Sequence, residues 1–480
     1  MNEKTVSADI LENYPPIDEK KIDALLAKEI EESPAKIIVL DDDPTGVQTV
    51  HDISVYTDWD ADSIRQGLEE KNKLFYILTN SRGFTARQTE AVHRTIAENI
   101  AEVSREMGIP CVVMSRSDST LRGHYPLETR ILKEVLEERS GQKMDGEILC
   151  PFFKEGGRFT IRNVHYVRYG GELVPAGETE FAKDKTFGYH ASHLAEYVEE
   201  KTGGEYRAED VACVSLESLR AMDIDGIEAS LMAVENFNKV AVNAVDYCDL
   251  KVFSTALYRA MARGKKFMFR TAAGLVKVMG GITDIPLLTR KDMVVRETDM
   301  GGIVVVGSHT QKTTAQLEAL LSLEGVEGIP FHSDLVLSGD AAFEEEIARV
   351  VRKSEAVMRT GKTAVCYTDR KLLSVENDTR EEALVRSVKI SDGVQALVGR
   401  LSVTPAFVVA KGGITSSDVG TKALKVKRAE VMGQVKPGIP VWRTGPESRF
   451  PQTPYVIFPG NVGEKETLKE VVQVLARTDG

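Results

Sequence analysis

Residues 36–49 read KIIVLDDDPTGVQT. In this stretch a short apolar run leads directly into three aspartates and a Pro-Thr-Gly turn. Short runs rich in Val, Ile and Leu that alternate with helical patterns are typical of a parallel α/β sheet. The same arrangement recurs three times: the runs Leu74 to Leu78, Cys111 to Met114 and Glu147 to Cys150 precede the loops TNSRG, SRSDSTLRGH and PFFKEGGR.

The carboxyl ends of parallel strands lie at one edge of a sheet, because right-handed crossovers return the chain over its faces. We therefore expect the four polar loops to converge on one crevice, where open α/β sheets bind ligands. A second series of strands and loops begins at Ile303, after a charged segment and the pair Gly301-Gly302. The sequence predicts an α/β fold with two domains, each a mainly parallel sheet flanked by helices. The predicted boundaries are a charged helical N-terminal extension over residues 1–34 and domains over residues 35–290 and 291–480.

The overall charge limits the classes of partner. Lys and Arg number 61 against 73 Asp and Glu, which gives a formal net charge of −12. Such a field repels nucleic-acid phosphates and anionic lipids. The sequence also contains no apolar run near the length of a membrane span and no apolar leader. We expect a cytoplasmic protein without a nucleic-acid or membrane partner.

Asp41, Asp42 and Asp43 place three carboxylates at the end of the first strand. Crowded carboxylates cost free energy unless a cation or a donor-rich ligand is present. They are suited to bind the hydroxyls of a polyol, to accept a proton from an attacking hydroxyl, or to hold Mg²⁺. An Asx-turn ahead of Pro44 and Gly46 is the structural alternative, and it explains one of the three.

Arginines occupy the other loops of the same edge. A guanidinium group grips a carboxylate through two parallel hydrogen bonds, so several arginines facing aspartates suit a hydroxy acid. Each arginine alone fits a surface ion pair, and Asp118 alone fits a helix cap, so the inference depends on their convergence. The arginines are Arg82, Arg116, Arg122 and Arg158.

Three loops of the second domain bring glycine to the end of a strand. Paired glycines let backbone N–H groups approach an anion closely, and hydroxyls and a helix start add donors. The first loop is not a Walker A motif, because it has no second glycine before Lys312. A capped strand-to-helix turn is the structural alternative for the second loop. The loops are GSHTQKT (307–313), KGGITSSD (411–418) and PGNVG (459–463).

From about residue 36 to its end, the chain resembles the four-carbon acid sugar kinase family in an ordered set of motifs. The set consists of DDDPTG, DSTLRG, a Pro-Phe-Phe loop ending in GGR, GSHT with a later Gln, KGGITSSD and PGNVG. Members of this family phosphorylate threonate, erythronate or 3-oxo-tetronate with ATP. The resemblance implies that residues 35–290 bind the sugar acid, that residues 291–480 bind ATP, and that the active site lies in the interdomain cleft.

The resemblance also implies roles for individual residues. Asp42 and Asp43 match the paired aspartates of the family and are the candidate catalytic residues, one of which accepts or orients the proton of the attacking hydroxyl. Mg²⁺ is expected with ATP, its ligands are not assigned, and a homo-oligomer is an open alternative. The candidate substrate-binding residues are Arg82, Asp118, Arg122 and Arg158. The candidate nucleotide-binding residues are Ser308, Gly412, Gly413, Ile414, Thr415 and Gly460.

Other functions remain as alternatives. A hydroxy-acid dehydrogenase is disfavoured, because no G-x-G-x-x-G turn follows the first strand. A Schiff-base aldolase would need a buried lysine at a strand end, for which Lys154 and Lys411 are the candidates. A non-catalytic sensor would bind a sugar acid without turning over ATP.

Overall fold

The computed structural model describes residues 4–296, 298–370, 373, 375, 378–460 and 462–476. Within these residues the strands are β1 (Val6–Ser7), β2 (Lys36–Asp41), β3 (Ile53–Tyr56), β4 (Leu74–Leu78), β5 (Cys111–Arg116), β6 (Gly146–Cys150), β7 (Arg158–Ile161), β8 (Val164–Tyr169), β9 (Glu172–Pro175), β10 (Ala212–Val214), β11 (Asn238–Val242), β12 (Phe267–Thr271), β13 (Ile303–Val306), β14 (Val326–Phe331), β15 (Thr363–Thr368), β16 (Val408–Lys411), β17 (Arg428–Lys436), β18 (Ile439–Thr444) and β19 (Pro454–Phe458). The α-helices there are α1 (Glu19–Glu32), α2 (Ala61–Glu69), α3 (Ala86–Met107), α4 (Leu127–Ser140), α5 (Leu194–Lys201), α6 (Leu216–Arg220), α7 (Ile224–Met232), α8 (Tyr247–Ala262), α9 (Ala273–Met279), α10 (Arg290–Met293), α11 (Gln311–Leu321), α12 (Asp340–Met358), α13 (Arg380–Gly399), α14 (Gly413–Asp418) and α15 (Thr467–Leu475).

The chain forms two compact units. The first comprises Met1–Thr49 and Asp58–Asp284, and the second comprises Val50–Thr57 and Ile285–Gly480. The predicted α/β class with two domains is confirmed: apart from a small antiparallel sheet, the strands are arranged in a mixed, mainly parallel manner. Among the described residues, no helix is both long enough and apolar enough to cross a lipid bilayer.

A parallel sheet forms the centre of the first unit, with strand order β10-β11-β6-β12-β5-β2-β4. Strands β2 and β4 are buried at almost every position, as in sheets that helices cover on both faces. The long helix α3 begins at a capping box formed by Thr85 and Gln88, which satisfies backbone N–H groups of its first turn. Because β12, β5, β2 and β4 are neighbours, the loops that follow them emerge side by side.

A small antiparallel sheet, in the order β1-β9-β8-β7, lies within the same unit. The sequence pattern does not predict this sheet, because its hairpin strands are short and directly follow the loop PFFKEGGR. Arg158 is the first residue of β7. The segment after β9 packs its aromatic side chains into a core with residues of the loop SRSDSTLRGH, including Tyr189 and Leu121. The small sheet therefore brings residues from 158 to 198 to the polar edge.

The second unit contains a mixed sheet in the order β3-β17-β18-β19-β16-β13-β15-β14. The strands from β19 to β14 run parallel, and β3, β17 and β18 are antiparallel to their neighbours. Val304, Val409 and Val456 are fully buried in its core. Helices α11 and α15 pack against each other at one side of the parallel part. The carboxyl ends of β13, β16 and β19 are adjacent, so the three glycine loops are adjacent too.

The structure divides the chain differently from the sequence prediction. The first unit ends at Asp284 instead of residue 290, and Val50–Thr57 belong to the second unit. Strand β3 pairs with β17, so that Tyr56 lies opposite Arg428. Local sequence patterns do not reveal a partner this distant, since Ser54 and Arg428 are hydrogen-bonded across 374 residues.

The N-terminal segment is part of the first unit and not a separate extension. Strand β1 completes the small antiparallel sheet by pairing with β9. Helix α1 packs on α8, where the Arg259 Nε donates to the Glu29 carboxylate at 2.8 Å. Helix α1 covers 14 residues of the segment 1–34.

Candidate active site

The three aspartates at the end of β2 have different surroundings. Asp41 is the last residue of the strand and is 1% exposed, and Asp42 is 3% exposed. Asp43 caps a short 3-10 turn, where its Oδ1 accepts from the Thr45 backbone N–H at 2.8 Å and from the Thr45 hydroxyl at 2.5 Å. Asp41 Oδ1 likewise accepts from the Asp43 backbone N–H at 3.2 Å, so the Asx-turn interpretation describes one oxygen each of Asp41 and Asp43 and leaves Asp42 unexplained.

Arg82, in the turn after β4, connects two of these carboxylates. Its Nη2 and Nε donate to the two oxygens of Asp42 at 2.6 and 3.1 Å, and its Nη1 donates to Asp43 Oδ2 at 3.1 Å. Burial raises the pKa of Asp42 in spite of this cation. Burial opposes ionisation of Asp43 as well, but Arg82 and the bonds from Thr45 outweigh it and lower its pKa. The guanidinium thus holds a buried carboxylate and a more accessible one side by side.

Arg116, the last residue of β5, makes the corresponding contact with Asp41. Its Nη1 donates to Asp41 Oδ1 at 3.0 Å and lies 3.7 Å from Asp42 Oδ1. Burial raises the pKa of Asp41 to about 7, against the opposing effect of Arg116. The guanidinium groups of Arg82 and Arg116 already supply cations to all three carboxylates, so this cluster does not fit a Mg²⁺ site.

Asp118 and Arg122, in the loop after β5, form a second group. Arg122 Nε donates to Asp118 Oδ2 at 2.7 Å, and its Nη1 lies 3.8 Å from Asp184 Oδ2. Burial opposes ionisation of Asp118, but Arg82 and then Arg122 outweigh it and lower its pKa. Arg82 therefore acts on both groups, and the structure brings Asp42, Asp43, Arg82, Asp118 and Arg122 to one edge.

Buried rings from other elements fix the backbone of the DSTLRG loop. The His165 Nε2 lies 2.7 Å from Ser119 O, and the Tyr189 and Tyr197 hydroxyls donate to Thr120 O and Leu121 O at 2.7 Å each. Leu121 has a φ of 67°, a left-handed conformation that is uncommon for a residue with a side chain. Strain of this kind persists where the surroundings over-determine it, as at binding sites. The loop is therefore held in place before any ligand binds.

Arg270, near the end of β12, is a residue of this edge that the sequence analysis missed. Its Nη1 donates to Glu128 Oε2 at 2.5 Å, and its Nη2 donates to Arg122 O at 3.0 Å. Gly123 has a φ of 118°, and a Cβ added there would meet Arg270 Nη2 at 2.7 Å and Asp42 Oδ2 at 3.4 Å. The polar pair Arg270-Thr271 at the end of an apolar run was the available sequence signal.

The three glycine loops of the second unit meet around Ser308. The Thr313 hydroxyl donates to Ser308 Oγ at 3.2 Å and also contacts Gly460 O at 3.3 Å. A Cβ added at Gly460 would lie 3.9 Å from Ser308 Oγ and 4.0 Å from Gly412 Cα. Gly412 itself has a φ of 120°, which favours glycine. We call this space, bordered by Ser308, Gly412 and Gly460, the nucleotide cradle.

The remaining predicted residues of the cradle lie in α14. Gly413 begins the helix, and Thr415 lies beneath the first loop, where a Cβ added at Gly307 would meet its Oγ1 at 2.2 Å. Ile414 is 74% exposed, so its apolar side chain is available to a ligand. Asn461 of the last loop lies outside the described residues.

Lys411, the last residue of β16, lies beneath the cradle. Its side chain is fully buried, and its Nζ donates to Pro459 O at 2.6 Å and to Gly460 O at 3.2 Å. The Nζ also lies 4.1 Å from the centre of the Phe458 ring. Burial, followed by the charge of Lys312, lowers the pKa of Lys411 to about 7. The ammonium group thus ties the second glycine loop to the third.

Comparisons with known proteins match a different domain model to each of the two parts of the chain. Residues 37–279 match the model of a sugar-binding N-terminal domain, and residues 303–468 match that of a nucleotide-binding C-terminal domain. A structure from Salmonella typhimurium LT2, named as a candidate tRNA synthase, is 16% identical with a TM-score of 0.64 and covers 91% of this chain and 98% of its own. A Haemophilus influenzae protein of family DUF1537 is 16% identical with a TM-score of 0.61, covering 91% of this chain and 100% of its own. At this identity both likenesses show the fold alone, and no curated protein matched the sequence.

Proposed function

Because the chain belongs to the four-carbon acid sugar kinase family, we propose that it transfers the γ-phosphoryl group of ATP to a hydroxyl of a short sugar acid. Threonate, erythronate and 3-oxo-tetronate are the acids to consider. The chain has a sugar-binding and a nucleotide-binding domain, which supports small-molecule ligands for both units. Mg²⁺ would enter with the nucleotide, since this metal usually binds through phosphates and water with few protein ligands.

The single observation that carries this proposal is the nucleotide cradle. Ser308 and Thr313 supply hydroxyls, and Gly412 and Gly460 leave space where side chains would otherwise stand. Backbone N–H groups at glycine turns are suited to bind the oxygens of a polyphosphate. Lys411 adds a positive charge within the same loops when it is protonated. A sensor for a sugar acid alone would not need this donor-rich space on a second unit.

In the first unit we assign to Asp43 the role of orienting the acceptor hydroxyl of the substrate and taking its proton. Both oxygens of Asp42 are bonded to Arg82 and its side chain is 3% exposed, whereas the Asp43 side chain is 18% exposed. Phosphoryl transfer depends mainly on positioning and charge stabilisation, so a carboxylate with a low pKa is sufficient to orient the hydroxyl and take its proton. Arg82, held by both aspartates, would orient the substrate and offset the negative charge near it.

The aldolase alternative is not favoured by its two candidate lysines. Lys411 is fully buried and its Nζ is bonded to two carbonyl groups, so a substrate carbonyl cannot reach it without rearrangement. Lys154 is 46% exposed and forms an ion pair with Asp246, whereas an activated Schiff-base lysine is usually desolvated.

The proposal is tested by substrate-dependent release of ADP. We would supply ATP with Mg²⁺ and a panel of three- to six-carbon sugar acids and their 3-oxo forms, and follow ADP with a coupled assay. Release that requires one of these acids establishes the kinase and identifies its substrate. Binding of an acid without ADP release from any member of the panel would refute the kinase and favour the sensor.

A further inference from the structure

Arg122 and Arg158 share one face of the first unit with Phe181. The Arg122 Cζ lies 5.0 Å from the centre of the Phe181 ring, and the Arg158 Cζ lies 5.7 Å from it. Guanidinium groups at such distances are attracted by the ring quadrupole. We call these three residues the arginine shelf.

The two arginines differ in their ionic partners. Arg122 is paired with Asp118 at 2.7 Å and lies 3.8 Å from Asp184. The described residues include no carboxylate within 4.0 Å of the Arg158 guanidinium, and its buried Nε–H has no hydrogen-bond partner among them. A buried donor without a partner costs free energy, and more when it is charged.

The charge distribution indicates what would satisfy this group. Burial lowers the pKa of Arg158; the charge of Asp118 opposes this shift, and repulsion from Arg122 adds to it, so an anion near both arginines would relieve the repulsion. The nearest acid in the network, Asp118, is already bonded to Arg122 and Thr120. The Arg158 Nη1 donates to Gly156 O, so the Nε and Nη2 edge of its guanidinium remains for a planar anion, and a carboxylate fits that edge through two parallel hydrogen bonds.

We propose that the arginine shelf binds the carboxylate end of the sugar acid, and that Arg158 makes the protein select acids over neutral sugars. Arg82, which is bonded to Asp42 and Asp43 and also acts on Asp118, connects the shelf to the aspartates. The substrate would lie with its carboxylate on the shelf and its reacting hydroxyl at Asp43. This inference rests on the proposed function and adds the orientation of the substrate to it.

The test compares an acid with its neutral analogue. Affinities of threonate and erythronate, and of threonamide and erythronamide, are measured by calorimetry for the wild type and for Arg158→Gln. We expect the variant to lose about 10- to 100-fold in affinity for the acid, the range for a hydrogen bond to a charged group. Its affinity for the amide should change less than threefold, because the amide carries no charge for the shelf.

Three further variants separate the shelf from general effects. Arg158→Lys should recover part of the acid preference, and Phe181→Leu should weaken acid binding about two- to fivefold by removing the cation–π contact. Arg168→Gln, which removes an exposed arginine of the same small sheet, should behave as the wild type. Thermal unfolding of each variant shows whether it is folded.

The outcomes distinguish this inference from the proposed function, because binding is measured without turnover. Acid binding that depends on Arg158, without ADP release, supports the shelf and refutes the kinase. If ADP is released, and Arg158→Gln loses equal affinity for the acid and the amide or loses no affinity for either, the kinase is supported and the shelf is refuted. Failure of the folded wild type to prefer the acids over their amides overturns the shelf as well.

Discussion

Lys411 is expected to make the affinity for ATP depend on pH. Its buried Nζ lies beneath the nucleotide cradle, bonded to Pro459 O and Gly460 O. Burial, with the charge of Lys312, lowers its pKa to about 7. Phosphates bound in the cradle should raise that pKa, because a nearby anion stabilises the ammonium form. Above pH 7, where Lys411 of the free protein has lost its proton, the binding of ATP takes a proton up. The affinity for ATP therefore falls as the pH rises above 7.

The size of the effect follows from proton linkage. The pKa of Lys411 is higher in the ATP complex than in the free protein. At pH values between these two pKa values, the complex holds a proton that the free protein lacks. With a pKa of about 7 in the free protein and an assumed value of about 9 in the complex, the Kd for ATP is roughly 25-fold larger at pH 9 than at pH 7. The variant Lys411→Met keeps most of the side-chain volume but cannot titrate, so it should lose this dependence.

Calorimetric titration with ATP at pH 7, 8 and 9, in buffers with different ionisation enthalpies, measures both the affinity and the proton uptake. Lys353→Met, which removes a lysine that is 45% exposed and paired with Glu327, is the matched control and should retain the wild-type slope. If Lys411→Met shows the same pH slope and proton uptake as the wild type, the coupling does not come from this lysine.

Three further predictions concern the other parts of the site. Asp43→Asn should lower kcat by at least about 100-fold and leave the Kd for ATP unchanged within twofold, because it changes the proton acceptor and not the cradle; steady-state kinetics and calorimetry measure the two. Arg82→Met should destabilise the first unit by about 3 kcal/mol, since it removes the cation that is hydrogen-bonded to Asp42 and Asp43; urea unfolding followed by circular dichroism measures this. Gly412→Ala should strain the backbone at a φ of 120° by about 1–3 kcal/mol and weaken ATP binding, which calorimetry detects.

Two of these variants, Asp43→Asn and Gly412→Ala, have matched controls within the chain. Asp60→Asn changes an exposed helix-capping aspartate that makes no side-chain cap bond, and Gly171→Ala adds a methyl group where no atom lies within 4 Å. Both should behave as the wild type. Wild-type turnover in Asp43→Asn, unchanged unfolding of Arg82→Met, or normal ATP affinity in Gly412→Ala would each contradict the role assigned to that residue.

Sequence patterns predicted those parts of the site that parallel strands bring together. The aspartates follow β2 and Arg82 follows β4, and because these strands are neighbours, the rule that loops meet at the carboxyl edge was sufficient to predict their proximity. The same rule brought Ser308, Gly412 and Gly460 together at the ends of β13, β16 and β19.

The parts that escaped prediction depend on tertiary packing. Phe181 reaches Arg122 and Arg158 from an irregular segment after a short hairpin, and neither a helical nor an alternating pattern marks it. The sequence also does not predict that the Lys411 side chain is fully buried, because a lysine at a strand end is usually solvated. Which aspartate is the more accessible depends on Arg82 and Thr45, whose contacts follow from side-chain geometry and not from spacing.

The position of β3 has a consequence for how the chain is made. The second unit takes this strand from a stretch that leaves the ribosome early, whereas Arg428 of β17, which is hydrogen-bonded to Ser54, is 374 residues further along. At about 5–20 residues per second, the partner emerges roughly 20 to 75 s later. During that interval the side of β3 that bonds to β17 is unpaired, and an unpaired strand edge invites pairing with other chains. A fragment that begins at residue 285 would lack β3, so the side of β17 that bonds to β3 would stay unpaired.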